Sequence, residues 1–278
     1  MDRLSFRLIV PFVVLFALAA PLPTSCQTTE PDQVPAAGVP SNPPPAAPQP
    51  KAAVERPVSW KLLVPNVLSD QEHIWLFPAK LAKGHDWIPT LAILGTGASL
   101  VALDPIEGKY FRNTSSFSGF NNAFSSNNTI YGTIAAPAAL YVAGLLRKDS
   151  KMTRTALFAG EAAADAEVVT TFLKDTTRRL HPSSVPAHGN YWDTWFDSGG
   201  SPLSARGGFP SGHTIVAFSI ATVVARRYGN HRWVPYVAYG AAALVGFSRL
   251  TLSAHFTSDV FIGAALGYSI GRFGVLRQ

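Results

Sequence analysis

The stretch SRLTLSAHFTSD (residues 248–259) sets Arg249, His255 and Asp259 into a largely apolar part of the chain. A hydrophobic helix pair needs none of these side chains, so they ask for a chemical reason. Two further stretches carry a similar mixture. KDTTRRLHP (174–182) brings Lys174, Arg178, Arg179 and His181, and FPSGHT (209–214) brings Ser211, Gly212 and His213. Such a set suits a tetrahedral oxyanion. Lysine and arginine supply fixed charge and forked donors. Ser211 stands where a helix N-cap is expected, and the free N–H groups of a first helical turn favour an anion. Gly212, without a Cβ, lets a ligand oxygen approach the backbone. A neutral imidazole at His255 can attack phosphorus, and Asp259, about one turn further on, can orient that ring. His213 can protonate the leaving oxygen. Because the cations neutralise the charge, no metal or other cofactor is expected.

These residues must be brought together by helices. Strand signals are weak, and apolar periodicity predicts helices at about 69–82, 88–103, 130–147, 154–173, 213–228, 233–248 and 258–273, with Ser69 or Asp70 as the first N-cap. The expected fold is all-α, an up-and-down helical bundle of about six core helices with the site at one end. Lys174 and Arg249 fall at helix C-termini, and His213 and His255 fall at or just before N-termini. In an antiparallel bundle with short turns, all four reach one mouth. The long connection at roughly 175–210, rich in Pro, Gly, His and Trp, is expected to shape that mouth or cap the core. Glu161, Asp165 and Glu167 share a helix but not a face, so buried pairing or a solvated face is expected rather than a metal site.

The spacing Ser248-Arg249, five residues, His255, three residues, Asp259 resembles the third signature of the type 2 phosphatidic acid phosphatase (PAP2) family, whose fold and site vanadium haloperoxidases share. PSGH (210–213) is similar to the second signature. The first signature is usually Lys, six residues, Arg-Pro; Lys174 and Pro182 fit, but His181 stands in the arginine's place. The resemblance covers about residues 130–275. It implies that His255 is the nucleophile, Asp259 its orienting partner and His213 the general acid. It also implies that Lys174, Ser211, Gly212 and Arg249 bind phosphate, with Arg179 matching an additional arginine that compensates for His181. A histidine at 181 carries only part of a charge near neutrality, so weaker phosphate binding or an acidic optimum is expected.

Composition sets the surroundings. Hydrophobic residues make up 47% of the 278 residues and charged residues 14%, against about 25% in soluble domains. That points to a membrane-associated chain or a compact bundle. The net charge of +6 favours anionic partners, but no dense Lys/Arg stripe interleaved with aromatics marks nucleic-acid binding. One cysteine, Cys26, excludes a disulfide framework within a monomer. Arg3 and Arg7, the apolar run 8–20 and the small residues after it predict an export signal over 1–26, with LPTSC resembling a lipoprotein box. A Pro/Ala-rich tether over 27–57 and a catalytic domain over 58–278 follow. Most expected helices, at 16–18 residues, fall just short of a bilayer span, whereas the Gly263, Gly267 and Gly271 stripe suits close packing in either setting.

The expected function is therefore a metal-independent phosphatase of the cell envelope, membrane-associated or periplasmic. It would hydrolyse phosphate mono- or diphosphate esters of lipids or isoprenoids through a phospho-histidine. The alternatives are a broad-range periplasmic acid phosphatase acting on small phosphoesters, a vanadate-dependent haloperoxidase with vanadate as its cofactor, and a non-catalytic envelope protein.

Overall fold

In the computed structural model, residues 55–186, 188–201 and 203–277 are described, and every regular element among them is helical. The export signal and most of the tether lie outside the described residues. The helices are α1 (Leu63–Trp75), α2 (Phe77–Ala82), α3 (Trp87–Asn113), α4 (Ser118–Ala123), α5 (Ser126–Arg147), α6 (Ser150–Thr177), α7 (Gly212–Arg227), α8 (Trp233–Thr251) and α9 (Thr257–Ser269), followed by a wide turn at Ile270–Val275. Six of them, α3 and α5 to α9, alternate in direction. The C-terminal ends of α3, α6 and α8 therefore meet the N-terminal ends of α5, α7 and α9. Short connections at 148–149, 228–232 and 252–256 enforce part of this. Asp149 caps α6 by accepting N–H bonds from Lys151 at 2.8 Å and Met152 at 3.1 Å, and Lys148 before it turns the chain with φ 53°.

Helix α7 lies at the centre, packed against α6, α8 and α9. The core runs through Phe158, Ala159, Ala162, Ala166 and Val169 of α6, Ile215 and Val223 of α7, and Ile270 and Val275 after α9. The glycine stripe explains how α9 comes so close. A Cβ on Gly267 would lie 2.3 Å from the Ile215 carbonyl oxygen, and one on Gly271 would lie 2.8 Å from that of Ser219. Backbone cannot retreat as a side-chain tip can. Gly267→Ala is therefore expected to cost about 2 kcal/mol through overpacking. Gly160→Ala, where a Cβ meets nothing within 4 Å, should instead gain a few tenths to about 1 kcal/mol of helix propensity. Thermal melts of the two variants check the contrast.

The observed helices differ from the expected ones mainly in length. The first begins at Leu63, so neither Ser69 nor Asp70 is an N-cap. Asp70 is instead buried and paired with Arg277 at 2.7 Å, a partner 207 residues away in sequence that local pattern does not reveal. Helix α3 continues through Pro105 to Asn113, well beyond the expected end at 103. Helices α3 and α5, of 27 and 22 residues, are long and apolar enough to cross a membrane, and only 17% and 11% of their apolar windows are buried. Ile88 is 85% exposed and Leu146 81% exposed. Core helices of a water-soluble bundle would hide such residues. On α6, Glu161 and Asp165 are buried and accept bonds from the Asn66 amide at 2.6 Å and the Gln71 amide at 2.8 Å, whereas Glu167 is exposed.

Candidate active site

The expected convergence at one end of the bundle is present, and the local sequence explains each placement. Lys174 lies in the last turn of α6, His213 is the second residue of α7, Arg249 lies in the last turn of α8, and His255 precedes α9 by two residues. Lys174 reaches the N-terminus of α7, where a Cβ added to Gly212 would stand 3.9 Å from its Nζ. Ser211 occupies the N-cap position of α7, but its hydroxyl makes no cap bond. It accepts instead from the Thr214 hydroxyl at 2.8 Å. The first-turn N–H groups of α7 are thus left to a ligand, at the positive end of the helix.

His255 is 4% exposed, and its Nδ1–H donates to the Gly208 carbonyl at 2.7 Å. That bond fixes the tautomer and leaves Nε2 with its lone pair. Burial pushes the pKa of His255 well below its ordinary value, and the nearby charges of His181, Lys174 and His213 add to the effect. The ring is therefore neutral at pH 7. His213, also in this group, is lowered to about 4, by burial first and then by Arg249 and Lys174, and its Nε2 lies 3.4 Å from the Ser126 carbonyl. Burial lowers Lys174 as well, and holds Arg249 at about 10. Arg249 is fully buried, with bonds to Ser248 Oγ at 2.7 Å and 3.0 Å, Ser126 Oγ at 3.1 Å and the Phe124 carbonyl at 2.6 Å. Its partners are hydroxyls and a carbonyl, not a carboxylate, so its charge is left for a bound anion to neutralise.

Three candidates sit otherwise than expected. Asp259 does not hold the His255 ring: the closest approach is 3.7 Å, and the Gly208 carbonyl takes that bond instead. Asp259 Oδ2 accepts the Phe256 N–H at 2.9 Å, and Oδ1 binds Arg179 at 2.5 Å. Arg179 is committed to other partners. It is 1% exposed and bridges Asp259, Asp104 at 2.6 Å and Ser258 at 2.7 Å. Its guanidinium lies between the rings of Trp195 and Phe256, at 4.4 Å and 4.3 Å. The competing carboxylates win because a buried guanidinium is held most strongly by buried carboxylates at close range. His181 stands 5.0 Å from the His255 ring, but its nitrogens face the carbonyls of Ala254 at 2.5 Å and Arg206 at 3.2 Å. It brings bulk beside the His255 ring, with both of its nitrogens engaged by backbone carbonyls.

The sequence reading missed Asp104, Glu107, Ser258 and the Gly208 carbonyl. Asp104 accepts from the Ser258 N–H at 3.1 Å and its hydroxyl at 2.5 Å, and Glu107 accepts the Thr257 N–H at 2.7 Å. Both carboxylates thereby cap α9 from α3. Acids inside an apolar helix were the available signal. Gly208 is placed by the long loop. Its N–H donates to the Arg179 carbonyl at 2.6 Å, and a Cβ on Gly207 would fall 2.4 Å from the Lys174 carbonyl, so the loop can press against the end of α6 only without side chains there. Arg112 at the end of α3 donates to the carbonyls of Pro182 and Val185 and ties down the loop's start.

Among the described residues no group of three or more His, Cys, Asp and Glu is placed to hold a metal ion. Residues 155–277 match the PAP2 superfamily model, the region that holds the three motifs. The lipid A 4'-phosphatase of Porphyromonas gingivalis is 30% identical over 128 residues, 44% of this chain and 52% of that protein. The lipid A 1-phosphatase of the same organism is 39% identical over 72 residues, 26% of this chain and 16% of that protein. The chain thus spans about half or less of the curated relatives it matches. A solved transmembrane PAP2-type phosphatidylglycerolphosphate phosphatase from Bacillus subtilis aligns with a TM-score of 0.38 at 21% identity, over 73% of this chain and 93% of that one.

Proposed function

We propose that this chain, which carries a PAP2 superfamily region over residues 155–277, is a phosphatase acting on the phosphate groups of membrane lipids. The observation that carries the reading is the placement of a neutral, buried imidazole with a free Nε2 at one mouth with Lys174, Arg249, His213 and the N-terminus of α7. The relatives named for lipid A support a phosphorylated lipid as substrate. The exposed apolar lengths of α3 and α5 support a bilayer as its setting. Export to the cell envelope completes the proposal.

In this reading His255 Nε2 attacks phosphorus, and the bond from phosphorus to the leaving oxygen breaks. His213 gives that oxygen a proton, releasing the alcohol and leaving a phospho-histidine. Water then attacks the phosphorus and passes a proton back to His213. The phosphorus–nitrogen bond breaks, and inorganic phosphate and the neutral His255 ring return. Lys174, Arg249 and the α7 N–H groups hold the phosphoryl oxygens throughout and stabilise their charge, the work a metal does elsewhere. Ser211 and Gly212 shape that helix end. Asp259 and Arg179 hold the chain before α9 in place and touch neither phosphate nor the attacking ring.

The test is phosphate release from a panel of phosphorylated lipids in mixed micelles beside p-nitrophenyl phosphate, with and without orthovanadate. Turnover of the lipids with inhibition by vanadate is expected. Halide oxidation in the vanadate-loaded protein would replace this reading by the haloperoxidase one.

A pH prediction follows from His213. Its low pKa of about 4 comes from burial and from Arg249 and Lys174. A bound phosphate dianion offsets both cations, so the proton affinity of His213 rises in the complex. The protonated ring is the acid, so activity falls as pH rises through the pKa that governs each state. The alkaline limb of kcat/KM, which reports the free enzyme, should therefore lie at lower pH than that of kcat. Superimposed limbs would remove His213 from the role of acid.

A further inference from the structure

The long loop that delivers Gly208 also builds a polar recess against the end of α6, where residues 198–207 fold over its last turn. Lys174 belongs both to this recess and to the phosphate cradle. The wall sets Lys174, Arg178 and Arg206 against one carboxylate, Asp175. That carboxylate is committed to the loop: one oxygen accepts the Leu203 N–H and the other the Ala205 N–H at 3.0 Å. Both residues have left-handed backbone, with φ 62° and 48°, so Asp175 holds a turn that side-chain-bearing residues rarely adopt and sets Arg206 beside the recess. The other polar groups are donors without protein partners among the described residues. The Arg206 guanidinium makes no hydrogen bond or ion pair with any of them, and Arg178 gives only its Nε–H, to the Asp175 carbonyl at 3.3 Å. The hydroxyls of Ser198, Ser201 and Ser204 and the N–H groups of Gly199 and Gly200 are likewise unengaged among the described residues. Gly200 makes room for the arginine: a Cβ there would stand 2.7 Å from Ser204 Oγ and 3.2 Å from Arg206 Cδ. Arg178 occupies the left-handed position that ends α6, with φ 43°, where glycine is the unstrained choice. An exposed arginine without a carboxylate partner at a costly backbone position asks for a role outside the fold.

We infer that this recess is a second phosphate-binding subsite, and that it takes a second phosphate carried by the same substrate molecule as the one hydrolysed. The inference rests on the phosphatase reading, which puts the first phosphate in the cradle. Two guanidiniums with hydroxyls and free N–H groups around them make a set of donors that suits phosphate oxygens. The recess is too tight to enclose a molecule, so the group lies across its rim, where Arg178 and Arg206 are exposed. Lys174 joins this rim to the cradle. Arg206 joins it to the nucleophile: its carbonyl faces His181 Nε2 at 3.2 Å, and it stands two residues before Gly208, whose carbonyl holds His255. Such closeness favours two groups on one molecule over a separate anion, because the first contact raises the local concentration for the second.

The experiment compares n-decyl phosphate with decane-1,2-diyl bisphosphate in detergent, on the full chain and on Arg178→Gln, Arg206→Gln and the double variant. Wild-type KM for the bisphosphate should be about tenfold below that for the monophosphate, and the double variant should bring the two within about twofold. Turnover of decyl phosphate should be unchanged, since neither arginine belongs to the cradle. Raising the salt should shrink the wild-type advantage, because exposed charges are screened. Both side chains are exposed, so the variants should melt within about 2 °C of wild type. A bisphosphate advantage that survives in the double variant overturns the assignment. If wild type shows no advantage, equilibrium dialysis with radiolabelled inorganic phosphate decides. Two sites per chain in wild type and one in the double variant would keep the subsite but give it to free phosphate, and equal numbers would overturn it. Failure of the phosphatase reading looks different: neither substrate is turned over, yet calorimetry shows the bisphosphate bound about tenfold more tightly by wild type than by the double variant. Equal calorimetric binding by the two overturns the subsite whether or not there is turnover.

Discussion

Replacing His255 by alanine is expected to reduce phosphate release by about 10⁴-fold or more, the loss seen when a covalent nucleophile is removed. The reason is local. Burial keeps this ring neutral, and its Nδ1–H is committed to the Gly208 carbonyl, so Nε2 is the lone pair the site offers to phosphorus. His181, 5.0 Å away, cannot take over, because both its nitrogens are engaged by carbonyls. His213→Ala should behave differently. In the proposed mechanism it removes the acid but not the nucleophile, with an expected loss of about 10²- to 10⁴-fold for alkyl phosphates. For p-nitrophenyl phosphate, whose leaving group needs little protonation, the loss should be much smaller. Rapid quench into alkaline detergent, in which a phosphorus–nitrogen bond survives, with radiolabelled substrate should trap phospho-protein in wild type and none in His255→Ala. Equal, slow phosphate release by wild type and His255→Ala from every substrate would leave only the non-catalytic reading.

The second large effect concerns stability. Arg179→Met is expected to cost about 3–5 kcal/mol, because it leaves Asp104 and Asp259 buried side by side without their shared cation. For a domain of this size that lowers Tm by about 10 °C. Arg179→Lys should recover little. A single ammonium cannot reach both carboxylates and Ser258 while packing against both Trp195 and Phe256. The pH dependence gives a sign. Burial raises the pKa of Asp259 above its unfolded value, so the folded state takes up the proton first as pH falls. Without the arginine the rise is larger, and the deficit of Arg179→Met should shrink at pH 5 relative to pH 7.5. A deficit that grows on acidification would place Arg179 outside this network. Were Arg179 a phosphate ligand, its loss would raise KM and leave Tm nearly unmoved, so the two measurements together decide its role.

The helical class and the gathering of the motifs at one end were legible because both depend on local pattern. Apolar periodicity marks helices, and alternation of direction carries every second terminus to the same side. That is why Lys174, His213, Arg249 and His255 could be placed together from spacing alone. Helix ends were less legible. The expected helix ended at about 103, yet α3 runs on through Pro105 to Asn113 and carries Asp104 and Glu107 to the start of α9. The carboxylates that cap α9 lie just beyond that expected end.

What the sequence determined by itself is the inventory of the site: two imidazoles, buried cations and a glycine-opened helix end on an all-α frame. Only the tertiary structure decided how that inventory is divided. Asp259 stands at the right interval for His255 along the chain, but hydrogen bonds answer to distance in space. A carbonyl from the long loop reaches the ring first, and Arg179, drawn in by Asp104 from a helix outside the motifs, takes the carboxylate. Spacing fixes which residues share a turn. The packing of distant helices and loops fixes which of them touch, because a buried charge goes to whichever opposite charge or hydrogen-bond partner the fold brings nearest.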